Sequence, residues 1–219
     1  MNTVQEQEFE YLQGRARGLQ ELLNYVVGAF ASRSLSPEGG EDTEITEILT
    51  KASNFYVDEM MRCLSCNAFL AATVMGASVL ESVLSLACVS EKSKTQNTKA
   101  WQSLKGRKAK PFKTVLLKAH LPDLLAIGQE LKWFPSKGIP PKLRDKLTQI
   151  SNDEAVAKLC GSENSEISIP EFLMAGSASL RNLLHPGRSS ETSLELLEYL
   201  SLFGCICVLM SLGCLAETK

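Results

Sequence analysis

From residue 63 to residue 86 the chain reads Cys-Leu-Ser-Cys-Asn-Ala-Phe-Leu-Ala-Ala-Thr-Val-Met-Gly-Ala-Ser-Val-Leu-Glu-Ser-Val-Leu-Ser-Leu. One charged residue, Glu81, interrupts this apolar stretch, and small residues recur along it. The stretch is too long for a strand and has no hairpin turn signal, which favours a buried helix. Upstream, apolar residues follow helical spacing from Ile45 to Met60. Residues 42–89 are therefore predicted to form one very long helix or two nearly collinear helices.

The same periodicity extends the helical prediction in both directions. Residues 4–33 have an amphipathic helical pattern, which Pro37 and the two glycines after it end. Further helices are predicted at about 112–120, 121–131, 140–149, from Ser151, from Ser168 to His185, and from Thr192 to about 216. Residues 90–111 are predicted to be a loop or a frayed connector.

Composition supports a single class of architecture. The 219 residues are 44% hydrophobic but only 6% aromatic, and no segment alternates as a strand would. We expect an all-α helical bundle with long core helices, with an N-terminal accessory helix and linker at residues 1–40 and the bundle at 41–219. The N-terminal helix is expected to pack on that bundle as part of one compact unit.

Two apolar segments raise the alternative of a membrane protein. Residues 63–80 and 199–216 each run 18 residues without a charge, which is the lower limit for a membrane span. Polar residues and glycines interrupt both, and no Lys/Arg clusters flank them. We therefore interpret them as buried helices. The acidic N-terminus has no signal-peptide pattern, so a cytoplasmic location without membrane contact is expected.

Several kinds of site are excluded or disfavoured by the sequence. The motifs GxGxxG, GxxxxGK[ST], HExxH and GxSxG are absent. Cys63 and Cys66 have CxxC spacing, but no second such pair and no nearby histidine accompanies them. We interpret the seven cysteines as reduced core residues, and we expect neither a metal nor a cofactor.

Charge is distributed unevenly along the chain. The net charge is −2, yet residues 91–150 carry 14 basic and 4 acidic residues. Nine basic residues and no acid lie between Lys92 and Lys118, a stretch that we call the basic segment. Trp101 and Phe112 lie within it, so it could combine phosphate contacts with base stacking on RNA. The alternative is a solvated loop.

A short motif near the C-terminus could perform chemistry. It reads Leu180-Arg181-Asn182-Leu183-Leu184-His185-Pro186-Gly187-Arg188. On a helix, Arg181 and His185 are four residues apart and can reach one ligand. An Arg that keeps its proton beside a His that exchanges one suits phosphate-ester chemistry. The alternative is that Asn182 and His185 cap a helix end.

This motif resembles the signature of the HEPN superfamily of helical bundles. Two other segments add to the resemblance, namely residues 68–81, a small-residue helix ending in Leu-Glu, and residues 124–135, Leu-Leu-Ala-Ile-Gly-Gln-Glu-Leu-Lys-Trp-Phe-Pro. The resemblance spans about residues 42–216. Three residues separate Arg181 from His185, whereas the family's nucleases usually have four to six, and many relatives with a poor motif resemble non-catalytic bundles.

The resemblance implies a metal-independent endoribonuclease in a defence or stress system, usually a homodimer and with a protein partner or antitoxin in some cases. His185 would then transfer a proton, Arg181 would stabilise the transition state, and Asn182 would orient them. The expected RNA contacts are Lys105, Arg107, Lys108, Lys110, Lys113 and Arg188. A non-catalytic bundle for dimerisation or protein docking is the alternative function.

Overall fold

The computed structural model describes residues 3–31, 42–105, 111–135, 139–150 and 194–217. Side chains are described over residues 10–30, 42–104, 111–135, 139–146 and 201–216. Within the described residues the chain is 86% helical and has no strand, which confirms the all-α class. The helices are α1 (Thr3–Ala31), α2 (Thr43–Ser65), α3 (Phe69–Ser90), α4 (Lys92–Gln96), α5 (Lys99–Lys105), α6 (Phe112–Leu116), α7 (Leu121–Glu130), α8 (Pro141–Ile150) and α9 (Leu194–Glu217).

The prediction that α2 and α3 are continuous or collinear is wrong, because they form an antiparallel hairpin. Asn67 has φ 56°, a left-handed conformation that Asn tolerates better than most residues. The Ala68 N–H donates to the Cys63 carbonyl at 2.8 Å and the Asn67 N–H to the Leu64 carbonyl at 3.1 Å. These two bonds form a Schellman motif, which ends α2 and reverses the chain.

Contacts at both ends of the hairpin confirm that its arms are antiparallel. Lys92, just beyond α3, pairs with Asp42, just before α2, with 2.8 Å between Nζ and Oδ2. Nearer the turn, a Cβ placed on Gly76 would lie 3.0 Å from the Met60 sulfur and 2.9 Å from Cγ1 of Val208. Gly76 thus lets α2, α3 and α9 approach one another closely.

A buried polar contact fixes α9 against α3. Oγ1 of Thr73 lies 2.7 Å from the Ser201 carbonyl oxygen and 2.9 Å from the Cys205 sulfur. The Cys205 thiol lies 3.1 Å from the Phe69 carbonyl, to which it donates. Burial raises the pKa of Cys205 to about 12, so the thiol keeps its proton for this bond. Since all these groups find partners, they set the register of the two helices.

The structure confirms the predicted N-terminal helix as α1 as far as Ala31, and residues 32 and 33 of the predicted range lie outside the described residues. Leu19, Leu22, Leu23 and Val26 are buried and belong to the same core cluster as α3 and α9. α1 contacts α2, α8 and α9. The division of the chain at residue 40 stays a prediction.

The described part of residues 90–111 differs from the predicted loop, because α4 and α5 both lie within it. Each spans seven residues or fewer, too short for an amphipathic repeat to show in the sequence. The predicted helices corresponding to α6, α7, α8 and α9 are confirmed within a few residues. The helices predicted from Ser151 and Ser168 lie outside the described residues.

Among the described helices, α3 is long and apolar enough to cross a membrane. However, 67% of its most apolar 18-residue window is buried inside the protein. Core helices of soluble bundles have the same length and composition. The shorter apolar helix over Ser201–Ala216 is part of α9, which packs on α3.

Candidate functional site

The structure does not describe the Arg-Asn-x-x-His motif. Arg181, Asn182, His185 and Arg188 belong to the part of the chain between α8 and α9 that lies outside the described residues, as do Arg107, Lys108 and Lys110. Lys105 ends α5, and its side chain is also outside the described part. Lys113 lies on α6 and is described.

Carboxylates pair with three of the lysines in the basic segment. Lys92 contacts Asp42, Lys94 contacts Glu91 at 3.1 Å, and Lys113 contacts Glu44 at 2.9 Å, each measured between Nζ and a carboxylate oxygen. The N-terminal end of α2 therefore supplies acids to the segment. Lys99 and Lys118 are exposed and pair with no carboxylate among the described residues. The positive charge open to a polyanion is smaller than the sequence count suggests.

The prediction that Trp101 and Phe112 stack on bases is wrong. Trp101 is 1% exposed and Phe112 is 8% exposed. Their rings stack on each other with centroids 4.6 Å apart and planes inclined by 26°. Both rings lie in the core, where a nucleobase cannot reach them. The pair joins α5 to α6 and so holds the two ends of residues 105–111 close to the bundle.

A carboxylate already occupies the N-terminus of α5. The Glu130 side chain, at the end of α7, accepts hydrogen bonds at 2.8 Å from the N–H groups of Lys99 and Ala100. Thr98 completes the cap by accepting from the Trp101 N–H at 3.2 Å. These donors could otherwise hold a phosphate. Because the Glu130 carboxylate already accepts from these N–H groups, they form a structural contact between α5 and α7.

Glu81 and His120 lie near each other, a proximity that the sequence did not reveal. Burial raises the pKa of the Glu81 carboxyl, and the nearby His120 lowers it by a smaller amount. His120 is exposed at the start of α7, where its N–H donates to Asp123 at 2.9 Å. The two residues are far apart in sequence, and only the packing of α7 on α3 brings them together.

Replacing Glu81 with Gln is expected to raise the melting temperature at pH 7. The raised pKa means that the folded state binds the proton more tightly than the unfolded chain. The stability that comes from this proton is fully present below the pKa that the Glu81 carboxyl has in the unfolded chain. It is lost as the pH rises through the higher pKa that this carboxyl has in the folded protein. The gain from Glu81→Gln should therefore shrink as pH falls toward about 4, near the ordinary carboxyl pKa.

Thermal melts of Glu81→Gln over that pH range test this expectation. Glu47→Gln is the matched control, because Glu47 is an exposed carboxylate on the neighbouring helix α2. A loss of stability in Glu81→Gln at pH 7 would contradict the assignment, as would a gain that persists unchanged at about pH 4.

The cysteine pair lies at the hairpin turn. Cys63 is half-buried and Cys66 is exposed, and burial raises the pKa of the Cys63 thiol, with smaller contributions from Glu59 and Cys66. A raised pKa disfavours the reactive thiolate. Within the described residues, no group of three or more His, Cys, Asp or Glu side chains could hold a metal ion.

Comparison with known proteins gave no relative. No protein-family model, no curated protein and no solved structure matches the chain.

Proposed function

We propose that this protein is a HEPN-like helical bundle that binds RNA and cleaves it without a metal through Arg181, Asn182 and His185. One observation carries the proposal: the motif Arg181-Asn182-Leu183-Leu184-His185-Pro186-Gly187-Arg188 ends five residues before the last core helix, α9, in a chain whose described part is all-α. The small-residue helix α3 and the α7 segment occur in the order that the family resemblance requires.

The proposed reaction uses the RNA as its own nucleophile. His185 accepts the proton of a ribose 2′-hydroxyl, and that oxygen forms a bond to the adjacent phosphorus. The bond from phosphorus to the 5′-oxygen breaks, and this oxygen receives a proton from the His185 imidazolium, which returns to its neutral form. Arg181 stabilises the negative charge that develops on the phosphate oxygens, while Asn182 orients the two side chains. The products are a cyclic phosphate end and a 5′-hydroxyl end.

RNA contacts are proposed for Lys105, Arg107, Lys108, Lys110, Lys113 and Arg188. Lys113 contributes less than the sequence count implies, because Glu44 already pairs with it. The stretch 105–110 contains four basic residues and no acid. This stretch connects α5 to α6, and the stacked Trp101 and Phe112 rings hold its two ends near each other. It is the most concentrated positive charge in the chain and suits phosphate contacts.

The assembly and location follow the same proposal. We propose a cytoplasmic homodimer that acts in a defence or stress system, with a protein partner or antitoxin in some settings. Arg and His side chains from two copies would share one RNA site, as the resemblance to dimeric family members implies.

A second candidate function is a non-catalytic bundle for dimerisation or protein docking. Exposed apolar side chains on α2 favour it, since Ile48 is 46% exposed and Phe55 is 58% exposed on the helix's outer side. Exposed apolar residues spaced seven apart lie on one helical face and can contact another helix. The ion pairs of Lys92, Lys94 and Lys113 and the burial of Trp101 also favour this function, because they remove RNA contacts that the sequence suggested.

RNA binding should depend on salt through the 105–110 stretch. The double variant Arg107→Gln/Lys108→Gln is expected to bind single-stranded RNA more weakly and to reduce the slope of log K against log salt by about 0.7 per lost phosphate contact. Fluorescence anisotropy with a labelled RNA at several salt concentrations measures both quantities.

The control is Lys51→Gln/Arg62→Gln, which removes the same charge from α2, where both cations pair with glutamates. The control should retain the wild-type slope. Equal slopes for the two double variants would show that the stretch makes no phosphate contacts. Wild-type protein that fails to bind RNA at low salt would overturn the proposal and favour the docking function.

A further inference from the structure

A cavity of about 310 Å³ lies among α1, α2, α3 and α9. Its inner wall is apolar and consists of Leu23 and Val26 from α1, Val79 and Val83 from α3, and Leu212 from α9. All five side chains are buried. Val27 of α1 also lines the cavity, and its side chain is 38% exposed. It is therefore an apolar recess with a mouth between α1 and α2.

Polar groups occur on one side of this recess. Thr50, Ser53 and Asn54 of α2 line it and are at least partly exposed. Their spacing of three and four residues puts them on one helical face. No hydrogen bond joins any of these three side chains to another group in the described part of the chain. Two hydroxyls and an amide are thus available to a ligand at the mouth.

The lining contains no charged side chain. A ligand that brought a carboxylate or an ammonium group into the recess would lose hydration without gaining an ion pair. A neutral hydroxyl, ester or amide could instead exchange hydrogen bonds with Ser53 or Asn54, since both groups donate and accept. The lining therefore discriminates between ligands by charge.

The volume limits the size of the ligand. It lies near the lower end of ligand pockets, which enclose about 300–1,000 Å³. It equals the liquid volume of about ten water molecules at about 30 Å³ each. An apolar group of about ten carbon atoms would fill it and restore dispersion contacts that the lining side chains otherwise lack.

We propose that this recess is a binding site for a small uncharged amphiphile, with an apolar body of about ten carbon atoms and one neutral hydrogen-bonding head. The body lies against Val79, Val83 and Leu212, and the head lies at Ser53 and Asn54. The proposed binding uses no residue of the Arg181–His185 motif. Ligand binding at this site would join α1 to the α2–α3 hairpin.

Binding of 2-naphthol, a neutral fluorescent alcohol whose apolar body matches the proposed size, tests the site with the full chain. We expect wild-type protein to enhance the probe's fluorescence, n-decanol to displace it, and decanoate at neutral pH to displace it at least about tenfold less well. Failure of the wild type to bind the probe would overturn the proposal. Equal displacement by decanol and decanoate would overturn the assignment of an uncharged ligand.

Two variants locate the binding. Val57→Trp inserts an indole at the mouth from α2 and should weaken probe binding at least about tenfold, while Ile48→Trp, on the outer side of the same helix, should not. Val27→Trp closes the recess from α1 and should act like Val57→Trp, so the result does not depend on one substitution. Wild-type affinity in folded Val57→Trp and Val27→Trp proteins would show that the probe binds elsewhere and contradict the proposal.

Discussion

RNA cleavage in EDTA is expected to fall by about 100- to 10,000-fold when His185 is replaced with alanine. In the proposed reaction His185 moves the proton of the attacking hydroxyl, and no metal-bound hydroxide replaces it. Arg181→Ala should also impair cleavage strongly, because the charge on the phosphate in the transition state would lose its cationic partner. Initial rates on a defined RNA, measured at the same enzyme concentration, provide the comparison.

His120→Ala is the matched control for that experiment. His120 is the second of the chain's two histidines, and it lies at the start of α7 beside Glu81. The control should retain most of the wild-type rate. A His185→Ala protein that loses stability but keeps its action on RNA would show that His185 caps a helix end, as in the alternative reading of the motif.

Replacing Trp101 with alanine is expected to lower the free energy of unfolding by about 3–5 kcal/mol. Trp101 is among the largest fully buried side chains, and its ring stacks on Phe112. The substitution removes this apolar area and leaves a cavity between α5 and α6 that rigid helices cannot close fully. Urea unfolding monitored by circular dichroism measures the change. The slope of the unfolding free energy against urea concentration should be compared with that of the wild type.

Leu117→Ala provides the matched control for Trp101, since Leu117 is an exposed apolar residue just after α6. Its loss should change the free energy of unfolding by no more than about 0.5 kcal/mol. A Trp101→Ala protein as stable as the wild type, but weaker in RNA binding, would contradict the buried position of the indole. That result would instead support stacking of Trp101 on RNA bases, which its burial argues against.

The positions of the helices along the chain were predictable from the sequence, but the reversal of direction between α2 and α3 was not. Periodicity correctly marked apolar helices on both sides of Cys66, because each side is amphipathic or continuously apolar. Asn67 was the available turn signal, since Asn tolerates the left-handed conformation that a Schellman motif needs. No Gly or Pro accompanies it, so the apolar pattern suggested continuity where the chain reverses.

The roles of the aromatic and basic residues depended on tertiary contacts that a single sequence does not reveal. Trp101 and Phe112 lie eleven residues apart among lysines, a pattern equally compatible with a nucleic-acid surface and a core pair. Their burial results from α5 and α6 packing on the bundle. Likewise, Lys92 and Lys113 find acids that lie about 50 and 70 residues earlier in the sequence, so counting charges by segment overestimated the positive surface.

The candidate catalytic site was defined by the sequence alone. Helical spacing brings Arg181 and His185 to one face if their segment is helical, and the family resemblance supplies their chemistry. Neither argument determines how the imidazole and guanidinium are placed, which depends on the packing of side chains from distant parts of the chain. The proximity of Glu81 and His120 illustrates the same dependence, because the two residues approach each other only through the packing of α3 and α7.

The most direct test of the proposed function is to identify the RNA ends that wild-type protein produces in EDTA. The account predicts fragments with a 2′,3′-cyclic phosphate at one end and a 5′-hydroxyl at the other, and the loss of both products in His185→Ala. Intact RNA after prolonged incubation with folded wild-type protein would contradict the account, and so would fragments that carry 3′-hydroxyl and 5′-phosphate ends.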